Sequence, residues 1–288
     1  MAPRVRTRTS LRAALSTGAL VRAAGAHNAL GASLVEQAGF EAVWASSFET
    51  SAARCLPDAS LLTMSEYLEA AAQMQAACSV PVVADVDTGY GGVLNVAHMV
   101  REYEAAGITA VAMEDKVFPK MNSFVATEHA LLDTAEFQHR LRTAKEVQTG
   151  AEFFLIARTE ALINGLGTEE ALHRCRAYAE AGADAVLVHS KARTPAQIQE
   201  FLRGWDRRVP VVIVPTTYPD WSADEAHAAG VSMVIYANQA LRANVQSVRQ
   251  TLRTIYQKGS STGVEHDIAP VSEIFELQGL AQWMELEA

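Results

Sequence analysis

Asp85 and Asp87 stand two residues apart at the end of a short apolar run, and Thr88-Gly89-Tyr90-Gly91-Gly92 places yielding backbone behind them. Hard oxygen donors of this kind suit Mg²⁺, which keeps several waters and takes only one or two carboxylates. Glu114 closes the next apolar run and is placed to hold such waters. A lone acid at a run end more often caps a helix or pairs with arginine; three at successive run ends favour a metal centre. Arg158 and His189 close two later runs. One reading gives them a common anion, held by a bidentate guanidinium and by a histidine that donates without competing for the metal. The other makes Arg158 a structural partner of Glu114 or Glu160, and position alone leaves both open.

Between Asp115 and Asp133 lies a stretch with no helical or strand periodicity that contains Pro119, Lys120, Asn122 and Ser123. It is longer than most strand-to-helix connections, and loops of that kind tend to be lids over active sites. Lys120 would then carry positive charge to an anionic ligand on closure; a solvated excursion is the plainer alternative.

The elements that must position these groups form a repeat. Short β-branched runs at Leu20–Ala24, Ala42–Ala45, Val82–Asp85, Ala110–Met113, Phe153–Arg158, Ala185–His189, Val211–Val214 and Met233–Tyr236 alternate with segments of helical period such as Met64–Ala77 and Val96–Ala106. Several helical segments end in Ala-Gly immediately before a strand, at Gly39, Gly107, Gly182 and Gly230. Eight such units predict an α/β fold of the (β/α)₈ barrel type, whose chemistry sits at the C-terminal strand ends. Ser46, Ser47, Ser190, Thr216 and Asn238 occupy further strand ends. The first strand leads into Ala26-His27-Asn28 and lacks the GxGxxG of an open dinucleotide-binding sheet. No linker divides the chain, so residues 1–288 are expected to form one barrel domain. A C-terminal helical extension over about 257–288 is expected to contact a neighbouring subunit.

Hydrophobic residues make up 49% and charged residues 20% of the 288, an ordinary globular balance. The net charge of −9 excludes a general attraction to nucleic acid or anionic lipid. No apolar run reaches the ~20 residues of a membrane span. Cys55, Cys78 and Cys175 show no metal or disulfide spacing, which suits a reducing, cytoplasmic setting. Residues 1–35 hold no Asp or Glu and carry Arg4, Arg6, Arg8, Arg12 and Arg22, the balance of a transit peptide. Ser10 to Ser16 reads as an ordinary first helix, so no cleavage is expected.

Three stretches carry a resemblance: Asp85-x-Asp87-Thr-Gly-Tyr-Gly, Glu114-Asp115-Lys116-x-Phe118-Pro119-Lys120-x-Asn122-Ser123, and His189-Ser190-Lys191. Together with Ala26-His27-Asn28 and Val231-Ser232-Met233-Val234-Ile235, they resemble the isocitrate lyase/phosphoenolpyruvate mutase superfamily over nearly the whole chain. Its carbon–carbon lyases carry a catalytic cysteine in a Lys-Lys/Arg-Cys-Gly-His stretch that this chain lacks. The resemblance therefore implies the branch acting on carbon–phosphorus bonds, with phosphoenolpyruvate or phosphonopyruvate as small-molecule substrate and Mg²⁺ as cofactor. Lys120-x-Asn122-Ser123 is similar to the mutase pattern, where the hydrolase that releases phosphate resembles Lys-x-Thr-Ser. A lyase of 2-hydroxy dicarboxylates or oxaloacetate, and a catalytically silent scaffold, are the remaining alternatives. The resemblance further implies that Asp85 binds the metal directly while Asp58, Asp87 and Glu114 arrange its waters. Trp44, Ser46, Ser47 and Phe48 would surround the pyruvyl part; Arg158, His189, Lys120, Asn122 and Ser123 would surround the phosphoryl group. It also implies a homodimer or homotetramer whose C-terminal helices are exchanged. The chain departs from its relatives at Ala45-Ser46-Ser47, where they show Gly-Ser-Gly, and at Phe124–His129, which lacks their Gly-Arg/Lys pair.

Overall fold

A computed structural model describes residues 9–125 and 130–287. The basic positions Arg4, Arg6 and Arg8, and the lid residues Ala126, Thr127, Glu128 and His129, lie outside the described residues. The eight apolar runs form β1 (Val21–Ala26), β2 (Ala42–Ala45), β3 (Val82–Asp85), β4 (Ala110–Glu114), β5 (Phe154–Thr159), β6 (Ala185–Val188), β7 (Val211–Ile213) and β8 (Met233–Tyr236). Each strand pairs in parallel with the next and β8 closes on β1, completing the (β/α)₈ barrel. β1 extends two residues beyond its β-branched run, because Gly25 and Ala26 stay in register with Trp44 and Ala45.

Around the barrel run α1 (Leu11–Ser16), α2 (Ala29–Gln37), α3 (Ser47–Ala52), α4 (Met64–Ala77), α5 (Val93–Ala105), α6 (Thr134–Val147), α7 (Gly167–Glu180), α8 (Ala196–Gly204) and α9 (Ala223–Ala228). Side chains of Ser10, Asn28, Thr63, Asp133 and Ser222 accept from free first-turn amides, which fixes where the helices start. The four Ala-Gly glycines adopt φ between +80 and +110°, the left-handed region that ends a helix and redirects the chain.

Side chains alternate across each strand, so every strand divides into an outward and an inward row. The outward row, including Val82, Val111, Leu155, Val186 and Ile213, packs under the helices. The inward row fills the barrel with Val21, Ala23, Trp44, Val83, Ala112, Ile156, Leu187, Val212 and Ile235. The next rung up this inward row is polar: Ser46, Asp85, Glu114, Arg158 and His189 each stand two residues beyond an interior apolar side chain.

Among the described residues, 9–238 belong to the barrel unit and 239–287 to a second compact unit. Within that unit are α10 (Gln239–Lys258), α11 (Val271–Leu277) and α12 (Leu280–Met284). Val245, Val248 and Leu252 recur on one face of α10 and are exposed. Among the described residues, no helix is long and apolar enough to cross a membrane.

Candidate active site

Asp85 is held by its neighbours before any ligand is considered. Ser47, at the start of α3, donates its hydroxyl to Asp85 Oδ2 at 2.9 Å, and the Asp87 amide donates to Asp85 Oδ1 at 3.2 Å. Asp87 takes φ +48° and passes its carbonyl to the Glu114 amide at 2.7 Å, which ties the end of β3 to that of β4. Burial pushes both carboxyls up; Asp87 reaches about 7 even with the Lys120 ammonium opposing the shift. Among the described residues, Asp87 Oδ1 and Glu114 Oε1 are buried without a hydrogen bond, with the ammonium groups of Lys120 at 3.0 Å and Lys116 at 3.6 Å. These spare oxygens fit a hard divalent cation. Among the described residues no three acidic, His or Cys side chains stand close enough to grip an ion unaided. The acids therefore suit an ion that keeps part of its water shell, as Mg²⁺ does.

The two readings of Arg158 hold together. Its guanidinium reaches Glu160 at 2.6 Å and Glu114 at 3.3 Å, and it also lies 2.8 Å from His189 Nδ1 and 3.2 Å from Ser123 Oγ. Burial alone would discharge such a group, but Glu160, Glu114 and Asp85 more than offset it and hold the guanidinium charged. Register explains the meeting, since Arg158 sits directly opposite Glu114 across β4 and β5.

The lid lies across these groups. Its base is zipped by Val117 N–H to Ala130 O at 2.9 Å and Leu132 N–H to Asp115 O at 2.8 Å. Its middle is pinned to one residue of the loop after α3. Asp58 Oδ1 receives Lys120 Nζ at 2.5 Å, Asp58 Oδ2 receives Asn122 Nδ2 at 2.7 Å, and the Asp58 carbonyl receives the Asn122 amide at 3.0 Å. Burial would push Lys120 down, yet Asp87, Asp58, Glu114 and Asp85 raise it well above the ordinary lysine range. Phe124 meets the His189 ring edge-on, with centroids 5.6 Å apart. Ser123 points inward and donates to Glu160 Oε2.

The remaining sequence candidates divide. Trp44 is buried inside the barrel, one rung below the polar layer. The Ser46 hydroxyl caps α3 by accepting from the Glu49 amide at 3.2 Å, and Phe48 is 38% exposed at the rim. Asp115, the other acid at its strand end, faces outward: it accepts from Tyr178 OH at 2.8 Å, Thr159 Oγ1 at 2.8 Å and Arg174 at 3.3 Å. Ser190 likewise turns out, toward Gln197 of α8. Sequence reasoning passed over Lys116 and gave Glu160 only a structural part. Both are fully buried in the cluster, with Lys116 Nζ 2.7 Å from Ser123 Oγ and 3.2 Å from Glu160. Their signal was the strand period carried past the strand end: Lys116 follows Glu114 by two, and Glu160 follows Arg158 by two.

The family described as phosphoenolpyruvate phosphomutase matches residues 11–256. A phosphonopyruvate hydrolase from Variovorax sp. (strain Pal2) is 45% identical over 281 residues, covering 97% of each chain. A crystal structure of phosphoenolpyruvate phosphomutase from Streptomyces platensis subsp. rosaceus superposes with a TM-score of 0.95 at 52% identity, covering 96% of each chain. A phosphonopyruvate hydrolase in complex with oxalate and Mg²⁺ gives a TM-score of 0.91 at 44% identity, again over 96% of each. The chain is an enzyme of the phosphoenolpyruvate phosphomutase family, within the isocitrate lyase/phosphoenolpyruvate mutase superfamily.

Proposed function

We propose that the protein interconverts phosphonopyruvate and phosphoenolpyruvate. The observation that carries this reading is the lid pinned over the polar rung through Lys120 and Asn122 on Asp58. In the reaction the C–P bond breaks, its electron pair stays on the pyruvyl group as an enolate, and the enolate oxygen then takes the phosphoryl group. The transferring group is loose and metaphosphate-like, so the protein's work is positioning and charge balance. Water admitted at that moment would trap it as phosphate.

In this reading Asp85 holds Mg²⁺, with Asp87 and Glu114 receiving hydrogens from its waters. The ion's contribution is Lewis-acid stabilisation of the enolate oxygen. Arg158, His189 and Ser123 meet the phosphoryl oxygens. Ser46 and Ser47 present the start of α3 to the pyruvyl carboxylate, Trp44 floors the pocket and Phe48 borders it. Lys120 and Asn122 close the lid. Incubation of the protein with phosphonopyruvate and Mg²⁺ under ³¹P NMR tests the reading: a phosphoenolpyruvate signal supports it, and inorganic phosphate alone contradicts it. The second reading, hydrolysis to pyruvate and phosphate, is favoured by the 45% identity to the Variovorax hydrolase over almost the full chain.

Asp58 acts here as the latch. Removing its charge-assisted contacts, at ~1.5–3 kcal/mol, shifts the lid toward opening by roughly ten- to a hundredfold. Asp58→Ala is therefore expected to raise the ratio of phosphate to phosphoenolpyruvate formed from phosphonopyruvate; an unchanged ratio removes Asp58 from that role. The exposed apolar face of α10 is proposed to dock a second copy of the chain. Light scattering is expected to give a dimeric or tetrameric mass, and a monomer contradicts that proposal.

A further inference from the structure

Glu160 is a fully buried carboxylate on which three donors, Arg158, Ser123 and Lys116, converge beside the His189 ring. Arg158 reaches Oε1 at 2.6 Å, His189 Nδ1 lies 3.0 Å from the same oxygen, Ser123 donates to Oε2, and Lys116 Nζ stands 3.2 Å from Oε2. Burial alone would raise its carboxyl, but the permanent charges of Arg158, first, and Lys116 hold it below the usual range. An ionised carboxylate accepts and never donates.

His189 Nδ1 thus lies between two groups with opposite demands. Glu160 Oε1 only accepts, and the Arg158 guanidinium, 2.8 Å away, only donates. A hydrogen on Nδ1 would face a guanidinium N–H across that shorter contact, donor against donor. A bare Nδ1 instead takes the Arg158 hydrogen; it then faces Glu160 Oε1 acceptor to acceptor, but across the longer contact of 3.0 Å and with the Arg158 guanidinium charge reaching both atoms. The doubly charged ring repeats the donor clash, and burial also pushes His189 down from its ordinary value. In the neutral ring that remains, the hydrogen sits on Nε2. That nitrogen is buried and has no hydrogen-bond partner among the described residues.

We infer that Glu160 is a positioning residue which, by clamping Arg158, fixes His189 as the neutral tautomer with its hydrogen on Nε2. His189 then meets a phosphoryl or phosphonate oxygen as a donor and has no lone pair on that side with which to deprotonate water. A histidine held this way binds the moving group without activating its competitor. The identity of the anion rests on the phosphonopyruvate reading; the tautomer does not.

The test uses the full chain with ¹⁵N-labelled histidine, with the His189 resonances assigned by their loss in His189→Gln. Long-range ¹H–¹⁵N spectra at neutral pH are expected to show Nδ1 as a bare imidazole nitrogen and Nε2 as the protonated one. Glu160→Gln is expected to give a mixture of tautomers and to lower kcat by about 10–100-fold, the usual cost of losing an outer-shell partner, with a smaller change in KM. A hydrogen on Nδ1 in the unaltered protein overturns the inference, as does a Glu160→Gln protein with the tautomer and kcat both unmoved. If Glu160→Gln fails to fold, the unaltered spectrum decides alone. The expected tautomer in a protein that does not turn over phosphonopyruvate would sink the functional reading and leave this inference standing.

Discussion

Asp85→Ala is expected to lower kcat/KM on phosphonopyruvate by at least about 10³-fold, because Lewis-acid stabilisation of developing charge is worth several kcal/mol and each 1.4 kcal/mol is a factor of ten. The change removes the carboxylate that Ser47 and the Asp87 amide orient at the end of β3. It also relieves a crowd of buried acids, since Glu114 and Asp58 both push the Asp85 carboxyl up. Loss of activity should therefore come without a large loss of stability. Titration with Mg²⁺ by calorimetry, alongside thermal unfolding, separates the two effects. Retained Mg²⁺ affinity in the variant would move the metal off Asp85.

Arg158→Ala is expected to damage fold and activity together. Its guanidinium neutralises Glu160 and Glu114, both buried, and removing one partner of a buried pair leaves an uncompensated charge at about 3–5 kcal/mol. That corresponds to a fall in Tm of roughly 5–15 °C for a chain of this size. Arg158→Lys distinguishes charge from shape. A lysine restores a positive charge but cannot grip Glu160 while also reaching His189 and Ser123, so most of the stability is expected to return while turnover stays low. Full recovery of turnover by lysine would mean that charge alone is required there.

The barrel and most of its polar rung were legible in the sequence because both obey one rule, the alternation of side chains along a strand. Asp85, Glu114, Arg158 and His189 were found as the polar residues where apolar runs stop, and each proved to lie on the inward row. Asp115 and Ser190 also end runs but fall on the opposite parity, which turns them toward α7 and α8. What escaped the sequence was long-range. Nothing in the one-dimensional pattern brings Asp58 to Lys120 and Asn122, more than sixty residues away, because a lid's docking partner is set by closure of the loop and not by periodicity. Lys116 was hidden for a related reason: a lysine in a loop reads as solvated, and it is the convergence of Ser123, Glu160, Glu114 and the Met121 carbonyl that makes its burial tolerable. The short helix α3 has no apolar period of its own and is defined by the Ser46 cap.

Ser47, which stands where the pattern of the resembling family has glycine, reaches the polar rung: its hydroxyl donates to Asp85 and lies 3.5 Å from Lys120 Nζ. The Ser47 side chain thus meets the Asp85 carboxylate and the loop that carries Lys120 at one point.

The central claim is that the phosphoryl group passes from carbon to oxygen under the lid without meeting water. Turnover of phosphonopyruvate in ¹⁸O-enriched water, read by the isotope shift on ³¹P, tests it most directly. The account predicts phosphoenolpyruvate as the main phosphorus product, with no ¹⁸O in its phosphoryl group. Inorganic phosphate carrying one ¹⁸O as the main product would contradict it and assign the chain to hydrolysis.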